Sequence, residues 1–99
     1  MSFLTAQPEA LAAAAGSLGS IGSTLSAGNA AAAAPTTGVL PPAADEVSAL
    51  VAVHFATHAA MYQTVSAKAA AIHDQFVATL ATSAGSYAAT EAANVVAAQ

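Results

Sequence analysis

The sequence predicts an all-α protein, an antiparallel hairpin of two long helices that completes a four-helix bundle with a partner. Alanine, the strongest helix former, supplies about a third of the 99 residues. Prolines and glycines interrupt the chain in one central stretch, and apolar residues on both sides recur at intervals of three and four. No alternating strand pattern occurs, so we expect no sheet.

The first helix is predicted from about residue 8 to residue 34. Pro8 suits the first helical position because its missing N–H has no partner there. Glu9 then lies in the first turn, where the helix dipole favours a negative charge. Residues 35–42 contain three prolines and a glycine, which cannot continue a helix, so we expect a loop there.

The second helix is predicted from about residue 43 to residue 84. Pro42 can begin it, with Asp45 and Glu46 in its first turn, and Gly85 supplies a stop signal. Carboxylates at helix starts indicate helix-end stabilisation and not a catalytic cluster.

The chain thus divides into a hairpin over residues 1–86 and a tail over residues 87–99. The tail either adds a helical turn or two or is disordered. The first helix contains Gly16, Gly19 and Gly22, and each of them costs about 1 kcal/mol relative to Ala there and would allow close approach of a neighbouring helix.

Apolar residues form a heptad-like line on each predicted helix. On the first helix the line is Leu11, Ala14, Leu18, Ile21, Leu25, Gly28 and Ala32. On the second it is Val51, Phe55, His58, Tyr62, Val65, Ala69, Ile72 and Phe76. Further apolar residues widen the stripe on the second helix: Val47, Leu50, Val53, Met61, Val77 and Leu80.

Two helices alone cannot enclose a core, because each covers the other along one line only. The wide stripe on the second helix therefore needs further helices to complete a bundle. Those helices come either from a second copy of this chain or from a different protein. The pattern alone leaves both open.

Charge and composition exclude several functions. One lysine and no arginine cannot neutralise a row of phosphates, so we expect no nucleic-acid partner. There is no cysteine, and the first five residues lack the basic region and apolar core of a secretory signal peptide.

Two uncharged runs, residues 10–44 and 47–67, are long enough to span a bilayer. They are rich in Ala, Ser, Gly and Thr and poor in the Leu and Ile that drive insertion, which disfavours a membrane span. A membrane-active helical protein is therefore the alternative and not the favoured interpretation.

No group of residues predicts catalysis or a cofactor. His54 and His58 share a helix face at a spacing that can bind a metal. The glutamate that follows the first histidine in metalloproteases is absent, so a histidine pair near an interface is the favoured interpretation. There is no nucleophile elbow and no phosphate loop. We expect a protein that is not an enzyme and holds no metal.

Tyr87 and Glu91, four residues apart, would lie on one face of a helical turn beyond Gly85. An aromatic ring and a carboxylate displayed together could form a recognition tag. By spacing alone, a frayed and solvated C-terminus explains the pair as well.

Several segments together resemble the mycobacterial PE family, named for a Pro-Glu pair that is Pro8-Glu9 here. They are Met1-Ser2-Phe3-Leu4, Ala34-Pro35-Thr36-Thr37, Pro41-Pro42-Ala43-Ala44-Asp45-Glu46-Val47-Ser48 and Gly85-Ser86-Tyr87-Ala88-Ala89-Thr90-Glu91. The resemblance covers essentially the whole chain, which looks like the PE domain without the long extension that many members carry.

The resemblance implies a partner and an export route. A PE hairpin pairs lengthwise with the N-terminal helices of a PPE protein, and an EspG-type chaperone holds the pair through the PPE subunit. A type VII secretion system exports the pair without a cleaved signal peptide. The family's export signal is Tyr-x-x-x-Asp/Glu, which Tyr87 and Glu91 match, with Glu in place of the commoner Asp.

The resemblance also implies where the protein acts and which residues meet the partner. Synthesis in the cytoplasm is followed by release to the cell envelope, the cell surface or the medium, for host interaction or nutrient passage across the outer membrane. Membrane association after export is compatible with this. The predicted partner interface is Leu11, Leu18, Ile21, Leu25, Val51, Phe55, His58, Tyr62, Val65, Ile72, Phe76 and Leu80.

Overall fold

A computed structural model describes residues 4–99 of the chain. Over this part it contains two helices and no strand, α1 (Pro8–Thr37) and α2 (Glu46–Ala97), joined by residues 38–45. This confirms the predicted all-α hairpin. Met1, Ser2 and Phe3, which carry part of the family resemblance, lie outside the described residues.

Helix α1 begins at Pro8, as the sequence predicts. The carbonyl of Gln7 accepts hydrogen bonds from the backbone N–H groups of Ala10 and Leu11, at 3.1 and 3.2 Å. Glu9 lies in the first turn of the helix. Its carboxylate is therefore placed at the positive end of the helix dipole.

The helix continues to Thr37, three residues beyond the predicted end, with Pro35 inside its last turn. Two backbone carbonyls near this end accept hydrogen bonds from threonine side chains. The hydroxyls of Thr36 and Thr37 donate to the carbonyls of Ala32 and Ala33 at 2.6 and 2.7 Å. Pro35 leaves the Ala31 carbonyl without its helical donor, yet the helix continues for two more residues. The connection therefore occupies residues 38–45 instead of 35–42.

Helix α2 begins at Glu46, later than the predicted residue 43, because Asp45 caps it. One Asp45 carboxylate oxygen accepts the backbone N–H of Ser48 at 2.9 Å, and the other accepts the Ser48 hydroxyl at 2.6 Å. The hydroxyl and then the N–H of Ser48 lower the pKa of Asp45 below its ordinary value. Asp45 thus precedes the helix and does not lie within its first turn.

Helix α2 does not stop at Gly85 but runs to Ala97, a length of 52 residues. A glycine usually ends a helix by adopting positive φ, and no glycine among residues 4–99 does so. Inside a helix, glycine costs only about 1 kcal/mol relative to Ala, and the flanking alanines favour continuation. Most of the predicted tail is therefore helical, and Tyr87 and Glu91 lie within α2.

The chain divides into two compact units. The terminal unit comprises residues 4–22 and 73–99, and the loop-end unit comprises residues 23–72. In each unit a segment of α1 packs antiparallel on a segment of α2. Asn29 bonds Tyr62 and Gln63 in the loop-end unit, whereas Leu18 bonds His73 in the terminal unit.

The apolar core among the described residues consists of three alanines. Ala15, Ala52 and Ala84 are 4–5% exposed, and no large side chain is fully buried. Because a methyl group removes little area from water, these contacts stabilise the fold weakly. The hairpin leaves most of its large apolar side chains in solvent.

Candidate functional site

The residues of α2 that pack toward α1 differ from the line of large apolar residues that the sequence predicts. In the loop-end unit the less exposed positions are Ser48, Ala52, Ala56, Ala59, Gln63, Ser66 and Ala70. The predicted line, from Val51 to Ile72, lies one residue earlier at each step. One residue is a rotation of about 100° around the helix. The two lines are therefore neighbouring stripes, and small residues form the one that contacts α1.

Nine of the twelve predicted interface residues are exposed: Ile21, Leu25, Val51, Phe55, His58, Tyr62, Val65, Ile72 and Phe76. Phe55 is 63% exposed and Ile72 is 67% exposed. The other three, Leu11, Leu18 and Leu80, are half-buried inside the hairpin. The nine exposed residues are accessible to a partner, whereas the three leucines already pack partly within the terminal unit.

An apolar cleft of about 400 Å³ lies between the helices of the loop-end unit. Its walls are formed by Asn29, Ala32, Pro35, Thr36 and Val39 on one side and Phe55, His58, Ala59 and Tyr62 on the other. The Tyr62 hydroxyl donates to the Asn29 side-chain oxygen at 2.8 Å across this cleft. The cleft therefore combines apolar walls with a fixed polar pair.

A second cleft of about 300 Å³ lies on α2 itself, beside Phe55. It is lined by Val47, Leu50, Val51, His54 and Phe55. Phe55 belongs to both clefts, so its ring separates two apolar depressions of the loop-end unit. A side chain in this position is well placed to contact an adjacent helix.

The two histidines that could pair on a metal line different clefts. His58 lines the cleft shared with α1, and His54 lines the one beside Val47. Among residues 4–99 there is no group of three or more His, Cys, Asp or Glu side chains that could hold a metal ion. Both histidines therefore lie on the apolar surface of the loop-end unit.

The two residues of the C-terminal motif have different surroundings. Tyr87 is 51% exposed and lines a cleft of about 300 Å³ with Thr82, Ser83, Ser86 and Thr90. Glu91 is half-buried, and its Oε1 accepts a hydrogen bond from the backbone N–H of Ala6 at 3.0 Å. Tyr87 is displayed to solvent, whereas Glu91 joins the segment that precedes α1 to α2.

His73 forms a polar contact between the helices of the terminal unit that the sequence did not suggest. Its Nε2 lies 2.7 Å from the carbonyl oxygen of Leu18, and since a carbonyl only accepts, Nε2 donates. The ring packs where Gly22 has no side chain, because a Cβ there would lie 2.7 Å from Cδ2 and Nε2. Of the four glycines within α1, only Gly22 permits such a close approach, since a Cβ at Gly19 would make an ordinary contact and one at Gly16 or Gly28 would meet nothing within 4 Å.

One helix among the described residues, α1, is long and apolar enough to cross a membrane by length and composition alone. An 18-residue stretch of this helix has a mean hydropathy of 1.2, and only 6% of that stretch is buried within the hairpin. The helix thus exposes much of an apolar but alanine-rich surface.

Comparison with known proteins confirms the family predicted from the sequence. The sequence model of the PE family matches residues 4–94. The PE family protein PE13 of Mycobacterium tuberculosis is 78% identical over 98 residues, which are 99% of this chain and 99% of PE13. The protein PE8 of the same species is 57% identical over 95% of this chain and 34% of its own length. PE_PGRS33 is 60% identical over 95% of this chain, but over only 19% of its own length. The chain therefore belongs to the PE family.

Proposed function

We propose that this chain is the non-catalytic PE subunit of a PE–PPE heterodimer that a type VII secretion system exports. The observation that carries the proposal is the stripe of large, exposed side chains on α2, beside the small residues that contact α1. The PE hairpin supplies two helices of a bundle, and the PPE protein supplies the remaining helices. An EspG-type chaperone holds the pair soluble by binding the PPE subunit.

Burial supports a partner because the hairpin gains little from its own contacts. Its core consists of alanines, whereas Phe55, Tyr62 and Ile72 are all more than half exposed. Covering one such side chain contributes about 1.5–3 kcal/mol, so several of them can hold a stable complex. Large exposed apolar surfaces in proteins usually mark interaction sites.

The two clefts of the loop-end unit support helical packing as the mode of binding. Both have apolar walls, and both border Phe55. Side chains of a facing helix fit into depressions of this kind as ridges fit into grooves. The fixed Tyr62–Asn29 pair gives the partner a polar group to align on.

Export is the second part of the proposal. Tyr87 and Glu91 match the export signal that the family carries, and Tyr87 is exposed on the last turns of α2. The secretion machinery recognises this turn on the assembled pair. After export the pair acts at the cell envelope, on the cell surface or in the medium.

Co-expression with the PPE protein encoded by the neighbouring gene tests both parts. We expect the two chains to co-purify in equal amounts, which a homodimer of this chain would contradict.

Tyr87→Ala should leave the heterodimer intact and lower its export by about tenfold or more, because an exposed aromatic residue often dominates recognition. Thr90→Ala, between the two motif positions, is the matched control and should be exported normally. Normal export of Tyr87→Ala would show that the motif is not the signal.

The alternative function, a membrane-active or pore-associated helical protein, is favoured by one observation. Helix α1 is long and apolar enough to cross a bilayer. If its apolar surface meets lipid after export, detergent and not mild salt should extract the protein from envelope fractions. Release by mild salt would argue against this alternative and for a peripheral or protein-bound state.

A further inference from the structure

We propose that Glu91 is a positioning residue, whose carboxylate anchors the last turns of α2 to the segment before α1 so that Tyr87 is presented in a fixed orientation. The inference rests on the proposed export function and concerns how its signal is built. In this proposal the secretion machinery contacts Tyr87, whereas Glu91 contributes by holding the helical turn that carries Tyr87.

The anchoring contact joins two distant parts of the sequence within the terminal unit. Glu91 Oε1 accepts the backbone N–H of Ala6 at 3.0 Å, and the two residues are 85 positions apart. Ala6 lies just before Gln7, whose carbonyl accepts the first hydrogen bonds of α1. The carboxylate thus holds the chain where it enters the first helix.

The burial pattern at the end of α2 distinguishes Glu91 from its neighbours. Among residues 85–99, Glu91 is the only side chain that is not exposed. The last buried residue of α2 before it is Ala84, nearly two turns earlier. Tyr87 lies between these two points, so the orientation of its ring depends on the anchor that follows it.

The chemistry of the contact requires an acceptor and not a negative charge. A backbone N–H donates to a carboxylate oxygen or to the amide oxygen of a side chain of the same length, and the bond to the carboxylate is the stronger of the two. The start of α1 adds a favourable dipole for the carboxylate, but Glu9 already places a negative charge in that turn. Glutamine at position 91 should therefore preserve the anchor, and alanine should remove it.

The test compares Glu91→Gln and Glu91→Ala in the purified heterodimer and in the exporting cell. Hydrogen exchange of the Ala6 amide reports the anchor directly. We expect Glu91→Ala to accelerate this exchange by about tenfold or more and to reduce export. Glu91→Gln should keep both within about threefold of the natural chain. Glu9→Gln, which removes a charge from the same region without touching the anchor, is the matched control and should change neither.

Two results would overturn the proposal. Unchanged Ala6 exchange in Glu91→Ala would show that no anchor exists. Loss of export in Glu91→Gln, with the Ala6 amide still protected, would show that the machinery recognises the carboxylate itself. Failure of the natural chain to be exported would instead contradict the proposed function, and Ala6 exchange would still decide whether Glu91 holds the N-terminal segment.

Discussion

The terminal unit and the loop-end unit use their apolar residues differently. In the terminal unit, Leu11, Leu18, Val77 and Leu80 are half-buried between the helices. In the loop-end unit, the positions of α2 that face α1 are mostly alanine and serine. Of the eighteen large apolar side chains that are exposed among residues 4–99, twelve belong to the loop-end unit. The terminal unit therefore stabilises itself more than the loop-end unit does.

Under the proposed function, the two units have separate tasks. A surface that the hairpin does not use for itself is available for a partner, which fits the loop-end unit. A region held by its own contacts can present a signal in a defined orientation, which fits the turn that carries Tyr87. Each unit also has its own polar contact. The Tyr62–Asn29 hydrogen bond borders the cleft of the loop-end unit, whereas in the terminal unit Glu91 bonds the backbone of Ala6 before α1.

The largest expected effect concerns two phenylalanines, one in each unit. Phe55→Ala should weaken binding to the PPE protein by about 10- to 100-fold, because Phe55 separates two apolar clefts that a partner would fill. Phe76→Ala should weaken it by only about threefold to tenfold, because the terminal unit exposes fewer large apolar side chains than the loop-end unit. Competition between tagged natural chain and untagged variant for a limited amount of PPE protein measures the ratio.

Val96→Ala is the control for this pair, since Val96 is exposed near the end of α2 and outside the predicted interface. It should compete as well as the natural chain. If Phe76→Ala proved more damaging than Phe55→Ala, the division of tasks between the two units would be wrong.

The next largest effect separates two glycines of α1 within the terminal unit. Alanine at position 22 would place a Cβ against the His73 ring and disturb its bond to Leu18. Alanine at position 16 meets nothing within 4 Å. Both substitutions gain the same helix propensity, about 1 kcal/mol, so their difference isolates the clash. Gly22→Ala should be less stable than Gly16→Ala by about 1–3 kcal/mol.

Urea denaturation of the purified heterodimer measures this difference, with the slope of the transition compared between variants. Equal stabilities would mean that the His73 ring moves without loss. The packing of the terminal unit would then be as loose as that of the loop-end unit.

The sequence predicted the fold class and the helix start at Pro8, because proline and glutamate have local reasons to stand there. It did not predict which residues of α2 contact α1. The large side chains of α2 are predicted to meet a partner, and that stays a prediction. Nothing in the sequence singles out Ala52 and Ala59, which lie on the side of α2 that packs on α1, because alanine occurs throughout the chain. Gly85 predicts a stop, but a glycine usually ends a helix by adopting positive φ, and the sequence alone does not determine whether its backbone does so.

The motif at the end of α2 could be predicted only in part. Tyr87 and Glu91 are identified by their spacing and by the family resemblance. The contact between Glu91 and Ala6 has no signal in the sequence, because its donor is a backbone N–H that every residue but proline carries. The same reason explains why the bond from His73 to the Leu18 carbonyl was not predicted.

The smallest expected effect lies at the start of α2, in the loop-end unit. The Ser48 hydroxyl and N–H lower the pKa of Asp45 below 3.8, so the folded protein favours the carboxylate. The contribution of the Asp45 carboxylate to the stability of the folded protein is fully present above pH 3.8 and is lost as the pH falls through the lower pKa of the folded state. The effect should be small because Asp45 is exposed to solvent, which weakens its interactions.

The chemical shift of the Ser48 amide proton during an acid titration of the heterodimer measures the cap directly. In the natural chain it should change with a midpoint below 3.8. In Asp45→Asn the amide oxygen still accepts the Ser48 N–H, but nothing titrates at that position, so the shift should stay constant. A Ser48 shift that changes with pH in Asp45→Asn as it does in the natural chain would show that the Asp45 carboxylate does not cause the change. The expected contribution of this cap to the acid stability of the loop-end unit would then be wrong.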